Sequence, residues 1–473
     1  MVAVFLFLIF LYLFRYPIIK WINKIPDPPV IELGECQVKG KGQLKIGHVH
    51  LTPSSGSGSI IVTFTTNLPT NNLIAIQYGI NQDMEFETFA SVAEKNSSGS
   101  LYPYVYYASL LIVHPGRQYF YRVLCAATHS KTYSFHSWRA GSGWSPSIAL
   151  VSGKLSERTV NTLKLKKHQL SLVTHIDSYT PRRHTTDYLD TLQEFASEIP
   201  SLLLPGGEAA EESTLFPLPG AEWPVTEHTF YTLLGPLIVV GFRSDQLTSQ
   251  ISRLARVFDD IAAARETRPW LLVVSLDESF CLPTKTISPR PAPCQKLFQL
   301  FIKHKVDLYV TGLASGYHRT WPIASDGSPL STYHNAQGFV SVALGLREGE
   351  KLFNSLVTAQ HLMRNDSSVQ NTYVTIELVS PGSLCSQVIN PHSQVPVDQF
   401  CIDKVVQTNE VRHSMFSSQS ETYDMKVWLV LVIILTVVFA GLLIFRRAVY
   451  TGVCKYMESN GGVPLYEGKL LTV

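Results

Sequence analysis

The chain has 473 residues, room for two or three domains, and 45% of them are hydrophobic, enough for large cores. Lysine and arginine number 39 against 37 aspartate and glutamate, with no long basic run, so the charge balance argues against a nucleic-acid-binding protein. No Gly-x-Ser-x-Gly elbow, P-loop or dinucleotide fingerprint is present, so none of those motifs supplies a chemistry.

The N-terminal run "MVAVFLFLIFLYLF" has the length of a signal-peptide core. No side-chain positive charge precedes it and no small-residue cleavage pattern follows. Arg15, Lys20 and Lys24 lie downstream, which suits an uncleaved anchor. Residues 1–24 are expected to be a signal peptide or a signal anchor, the signal being preferred because the remainder reads as lumenal.

Residues 44–138 read as all-β. "SIIVTFTT", "LIAIQYGI", "VYYASLLIV", "RQYFYRVLCA" and "KTYSFHSW" are short β-branched and aromatic runs separated by Gly, Pro, Asn and Ser. That spacing predicts a small antiparallel sandwich, and "HPGRQYFYRV" resembles the strand entry of a fibronectin type III module. "SSGSGS" at 54–59 is turn material.

From about residue 146 to 403 the rhythm changes. "SIALVSG" predicts a buried strand, "ERTVNTLKLKKHQ" a helix, "LSLVTHID" a strand, "TTDYLDTLQEFASE" an amphipathic helix, and "IPSLLLPGG" a strand. "HTFYTL-LGPLIVVGF" reads as two strands joined at Gly-Pro. "TSQISRLARVFDDIAAARE" is helical, with apolar positions at Ile251, Leu254, Val257, Phe258 and Ile261. "PWLLVVSL", "CQKLFQLFIKHK" and "VDLYVTG" continue as strand, helix and strand, the last ending at Gly312. Alternation of this kind predicts an α/β layered domain with parallel pairing. A smaller β-rich part containing "NTYVTIELVS" closes it.

Residues 404–424 are polar and aperiodic, a stalk. Val427–Phe445 is an uncharged apolar run long enough to cross a bilayer, and Arg446 and Arg447 follow at once, which places residues 446–473 in the cytosol. In that tail Cys454 is either a palmitoylation site or a free thiol, and "YEGKLL" hints at a sorting signal.

Six cysteines precede the span, an even set that fits disulfides in an oxidising compartment. Near-neighbour pairing suggests Cys281–Cys294 and Cys385–Cys401, leaving Cys36–Cys125. None has the CxxC spacing of a zinc or redox site. Asn96 and Asn365 head glycosylation sequons.

In open α/β sheets, sites form beyond the carboxyl ends of the strands. Five such ends occur: Ser152-Gly153-Lys154, His175-Ile176-Asp177-Ser178-Tyr179, Pro205-Gly206-Gly207-Glu208, Ser275-Leu276-Asp277-Glu278 and Gly312-Leu313-Ala314-Ser315.

Several stretches together carry a resemblance. "IGHVHLT", "SIIVTFTT", "IAIQYG" and "HPGRQYFYRV", then "RPWLLVVSLDESFC" and "KVDLYVTGLASGYHRTWPI", are similar to the purple acid phosphatases, a branch of the metallophosphoesterases. The tail Tyr317, Arg319, Thr320, Trp321 and Pro322 is the most distinctive part, and the resemblance covers about residues 44–380. It implies a fibronectin-like domain followed by a βαββ-type layered sandwich. In such proteins two metal ions polarise a phosphate ester and generate the nucleophile.

The same resemblance implies that the ligand shell is stripped. The first strand end has Gly153 where an Asp ligand belongs. The second keeps Asp177, with Tyr179 one residue closer than the motif requires. Gly207 stands in the third, which also lacks its histidine. Leu276 replaces a histidine in the fourth, and Leu313 and Ser315 replace two in the last. Losing even an outer partner of a metal ligand costs ~10–100-fold in affinity, so losing most of the shell should abolish specific binding.

A rebuilt site would draw on His175, Asp177, Glu208, Asp277, Glu278 and His318, which lie near the same predicted edge. Solvated loop residues are the plainer reading of these. Asp277 and Glu278, being adjacent at a strand end, should point apart.

The expectation is a single-pass membrane glycoprotein, mostly extracellular or lumenal, with no cofactor, no catalytic residues and a binding or scaffolding role toward an unknown protein or small molecule. The alternative is an acid phosphatase with a reduced or rearranged Fe, Zn or Mn site. A third idea is a receptor using the old phosphate cleft.

Overall fold

The computed structural model describes residues 44–55, 58–68, 74–95, 104–125, 128–153, 155–177, 185–205, 217–219, 229–276, 292–314, 317–345, 362–366, 372–391 and 393–406. The N-terminal apolar run, residues 407–424, the Val427–Phe445 run and residues 446–473 lie outside them. Among the described residues no helix is long and apolar enough to cross a membrane.

The first nine strands are β1 (Ile46–Pro53), β2 (Ser59–Thr66), β3 (Ala75–Gly79), β4 (Phe86–Phe89), β5 (Ser91–Lys95), β6 (Tyr104–Leu111), β7 (Gln118–Cys125), β8 (Thr128–His129) and β9 (Tyr133–His136). They form two antiparallel sheets, ordered β1-β2-β6-β5 and β4-β3-β7-β8, with β9 on the other side of β7. Alternation sets which side chains meet between them. In β7, Tyr119, Tyr121, Val123 and Cys125 are buried while the residues between them are only half covered. They join Val49, Leu51, Val62 and Phe64 in one core.

The second part begins with β10 (Ser147–Ser152), α1 (Glu157–Leu165), β11 (Leu172–Asp177), α2 (Thr185–Ala196) and β12 (Ser201–Pro205). The Ser156 hydroxyl caps α1 by accepting the Thr159 N–H, and Glu157 sits favourably in its first turn. Next come β13 (Phe230–Leu234), β14 (Leu237–Phe242), α3 (Leu247–Asp260), β15 (Trp270–Ser275), α4 (Ala292–Lys303) and β16 (Leu308–Ala314). Gly235, at φ +58, makes the β13–β14 turn, where a Cβ would stand 2.8 Å from the Trp144 carbonyl oxygen. The chain closes with β17 (Tyr317–Thr320), β18 (Ile323–Ala324), β19 (Gly338–Gly345), β20 (Leu362–Asp366), β21 (Tyr373–Ser380), β22 (Ser383–Ile389) and β23 (Pro396–Asp403).

These strands form two mixed sheets, ordered β12-β11-β10-β21-β22-β23 and β13-β14-β15-β16-β19-β17-β20, with β18 on β19. Helices α1 and α2 cover the outer face of the first through Val160, Leu163, Leu189, Leu192 and Phe195. Helices α3 and α4 cover the outer face of the second through Leu254, Phe258, Leu297 and Phe301. Ile148, Leu150, Ile176, Leu272, Val310 and Val342 fill the space between the sheets. The result is a four-layer helix–sheet–sheet–helix sandwich.

One expectation needs correction. Strand β16 does not stop at Gly312 but continues to Ala314. The C-terminal β-rich part, expected to close this domain, does so by sheet pairing: β21 pairs antiparallel with β10, Ile148 opposite Ile376, and extends the first sheet. Local pattern marks a strand; its partner is chosen by distant packing.

The stretches that carry the family resemblance fasten the last strands in place. Tyr317 Oη donates to Asp398 Oδ2 at 2.6 Å, and Arg319 meets the same carboxylate through Nε at 2.8 Å and Nη2 at 3.2 Å. The guanidinium also lies against the Tyr333 and Phe400 rings, 5.1 and 4.5 Å from their centroids. Burial, then the Asp398 carboxylate, raise the Tyr317 hydroxyl pKa far above its ordinary value. Asp307 of the Val-Asp-Leu run accepts from Lys404 Nζ at 2.6 Å and from the Leu271 N–H at 2.8 Å. Lys404 sits 3.9 Å over the Trp270 ring of the Arg-Pro-Trp run.

Cys385 and Cys401 form a disulfide, as expected, and face each other directly across β22 and β23. Cys125 and Cys294 are also disulfide-bonded; Cys36 and Cys281, their expected partners, lie outside the described residues. Asn365 lies in the edge strand β20 opposite His318, and Asn96 is outside the described residues.

Candidate functional site

Strands β10 and β11 of one sheet and β16 of the other bring their carboxyl ends together at Gly312. A Cβ there would lie 2.5 Å from Ile176 Cγ2 and 2.9 Å from Ser152 Oγ, so the two sheets approach as closely as a glycine allows. Alternation along the strands directs Ser152, Ile176, Leu204, Leu276 and Gly312 into the space between the sheets at this edge. Leu218 enters the same cluster from the segment before β13.

Leu276 is 2% exposed and belongs to the inter-sheet core. The family resemblance requires an imidazole at this position; a packed leucine offers no donor. Gly153, at φ +80, has no side chain to offer, and its backbone is fully used. Its N–H donates to the Ile176 carbonyl at 2.8 Å, and its own carbonyl accepts from His175 Nε2 at 2.6 Å.

His175 is buried, and its Nδ1 lies 2.7 Å from the Tyr188 hydroxyl. A carbonyl can only accept, so Nε2 carries the proton and Nδ1 accepts from Tyr188. Neither nitrogen keeps a lone pair for a metal. His175 therefore ties the end of β10 to α2, with both ring nitrogens engaged in protein contacts.

His318 is 3% exposed and lies between Tyr317 and Arg319, both of which turn toward Asp398 of the opposite sheet. Alternation sends His318 to the outer face of its own sheet, while His175 faces the helices on the outer face of the other. The structure therefore does not bring the two histidines together. Sequence proximity to one edge failed to predict this because facing depends on strand parity.

Asp177 is the last residue of β11, opposite Pro205, and Leu313 lies in β16; their side chains are outside the described set. Tyr179, Gly207, Glu208, Asp277, Glu278 and Ser315 lie outside the described residues. Among the described residues, no three His, Cys, Asp or Glu side chains group as a metal site would require. Leu276, Gly153 and His175 do not fit a dimetal centre.

Sequence reasoning passed over Arg243. It follows β14, is 1% exposed, and continues the register of Val239 and Gly241, which face the inter-sheet space. An arginine directly after the buried run "LIVVGF" was its only signal.

No protein-family profile matches the chain. It is 23% identical over 341 residues to acid phosphatase type 7 of Homo sapiens, covering 63% of this chain and 76% of that protein. Acid phosphatase type 7 of Danio rerio is 23% identical over 353 residues, covering 63% and 77%. Among solved structures, a purple acid phosphatase from yellow lupin (Lupinus luteus) seeds superposes with a TM-score of 0.63 at 17% identity, covering 76% of this chain and 74% of that one.

Proposed function

The chain is a purple-acid-phosphatase-like member of the metallophosphoesterases, and from that starting point we propose that it has lost the family's hydrolytic chemistry and works by binding or scaffolding. The observation that carries this reading is Leu276, sealed into the inter-sheet core where a metal-ligating imidazole would belong. An aliphatic side chain has no donor atom to offer a metal ion in any rotamer. Gly153 and His175 support it: one has no donor, the other has both ring nitrogens committed.

In this reading the remnant Asp177 and Tyr179 are structural or solvated groups. The positions of Gly153, Gly207, Leu276, Leu313 and Ser315 are former ligand sites. The large N-terminal part is extracellular or lumenal, glycosylated at Asn96 or Asn365 and held by one span at Val427–Phe445. Its ligand is a protein or small molecule, not nucleic acid.

The test is metal analysis and phosphomonoesterase assay of the full-length chain purified in detergent. Substoichiometric metal and no turnover above a blank from roughly pH 4 to 8 is the expected result. Two tightly held metal ions per chain, with chelator-sensitive hydrolysis abolished by Asp177→Asn, would establish the alternative of an acid phosphatase with a rearranged site.

A further inference from the structure

The sandwich and the α/β part are joined along α2, and two histidine contacts cross the seam. His48 sits at a bulge in β1 with φ +54, a conformation uncommon for a residue with a side chain. Its Nδ1 lies 2.6 Å from Thr65 Oγ1 and its Nε2 3.3 Å from Asp190 Oδ1 on α2. The next amide, Val49 N–H, donates to Gln193 Oε1 at 2.7 Å. Elsewhere along the seam His136, ending β9, meets His168 of the turn after α1. Their rings stand edge to face at 90°, with centroids 5.5 Å apart.

We propose that this seam is an acid-sensitive joint, closed while His48 and His136 are neutral and loosened when they take up protons. The neutral arrangement is complete as built. A carboxylate only accepts, so His48 Nε2 carries its proton toward Asp190 and Nδ1 accepts from the Thr65 hydroxyl. A second proton on Nδ1 forces Thr65 to turn its hydroxyl to the Gly47 carbonyl, 3.4 Å away and so a poor acceptor. At the other contact, charge on His136 is opposed by the neighbouring His168 ring.

Asp190 faces His48 from α2, while Glu194 one turn on is engaged by Lys164 at 2.6 Å. Asp187, a turn earlier, has a side chain outside the described set. Strands β2 and β12, which also pack against β1, contain no charged residue. Opposite His136 in β7 stands the neutral Gln118. Beside His168, Lys167 is paired with Glu198 at 2.9 Å.

Burial holds His48 below the ordinary imidazole value, with Asp190 offsetting part of the effect. Burial, then the charge of His168, lower His136. Opening the seam removes the burial and separates the two rings, so the open form binds protons more tightly. The closed seam is therefore most stable above the free histidine pKa, about 6.5, and loses stability as pH falls through the lowered values.

Hydrogen exchange at the Val49 amide of the full-length chain reads the joint directly. After correction for intrinsic rates, protection should fall as pH drops from neutral to endosomal values, the direction set by the lowered His48 and His136 pKa. A β15 core amide such as Val273 should not change. Asparagine tolerates left-handed backbone, so His48→Asn with His136→Gln should keep neutral-pH protection and flatten the dependence. Flat Val49 protection in the unaltered chain overturns the proposal, as does an undiminished dependence in the double variant. Should that variant fail to fold, the exposed-site change His136→Gln alone must still reduce the dependence, and no reduction overturns it.

Discussion

Asp398 joins the two sheets through one buried carboxylate. Its carboxylate accepts from Tyr317 and from two nitrogens of Arg319, with both partners of the ion pair at most 6% exposed. Removing one partner of such a pair strands the other charge in the core. Asp398→Ala should therefore cost about 3–5 kcal/mol, measured by denaturant unfolding, whereas a hydrophobic replacement of the whole network would cost far less. Leu276 gives the opposite case. Leu276→His restores the family's residue type but places an imidazole among aliphatic side chains. It should destabilise by roughly 1–3 kcal/mol for the unsatisfied polar group and leave bound zinc unchanged in a metal titration.

At the level of elements, the close approach of β16 to β10 and β11 rests on one glycine. Gly312→Ala puts a methyl 2.5 Å from Ile176 Cγ2, so it should cost about 1–3 kcal/mol through overpacking. Combining it with Ile176→Val should recover part of that loss, a coupling that a double-mutant cycle would read. The hairpin of β22 and β23 carries the Cys385–Cys401 disulfide across 16 residues. Replacing both cysteines with serine should lower stability by about 3 kcal/mol, chiefly by freeing the unfolded chain. The elements themselves were largely legible: the Gly-Pro turn between β13 and β14 and the helix-period positions of α3 appear in the sequence. The pairing of β21 with β10 was not, because more than 200 residues separate strands that only the completed sheet brings together.

On the scale of the whole molecule, the sandwich is fastened to the α/β part at several points. Tyr121 Oη donates to the Ser197 carbonyl at 2.6 Å, Trp138 Nε1 to the Ser171 carbonyl at 2.8 Å, and Thr232 Oγ1 to the Ser54 carbonyl at 2.9 Å. Tyr121→Phe leaves a buried carbonyl without its donor. It should cost about 1–3 kcal/mol and lower Val49 amide protection, which exchange measurements would detect. None of these cross-contacts was visible in the sequence, since each joins residues that no periodicity relates.

What the sequence determined by itself was the kind of each element: β-rich first part and alternating second part, with glycine or leucine at Gly153, Leu276 and Gly312. These follow from side-chain type and short-range period, which a linear chain displays. What only the tertiary structure decided was where those side chains face. Leu276 turns inward to the core, His175 closes on Gly153 and Tyr188, and His318 faces away on another sheet. Facing is set by strand parity relative to a partner layer, and the partner layer exists only once distant segments have packed.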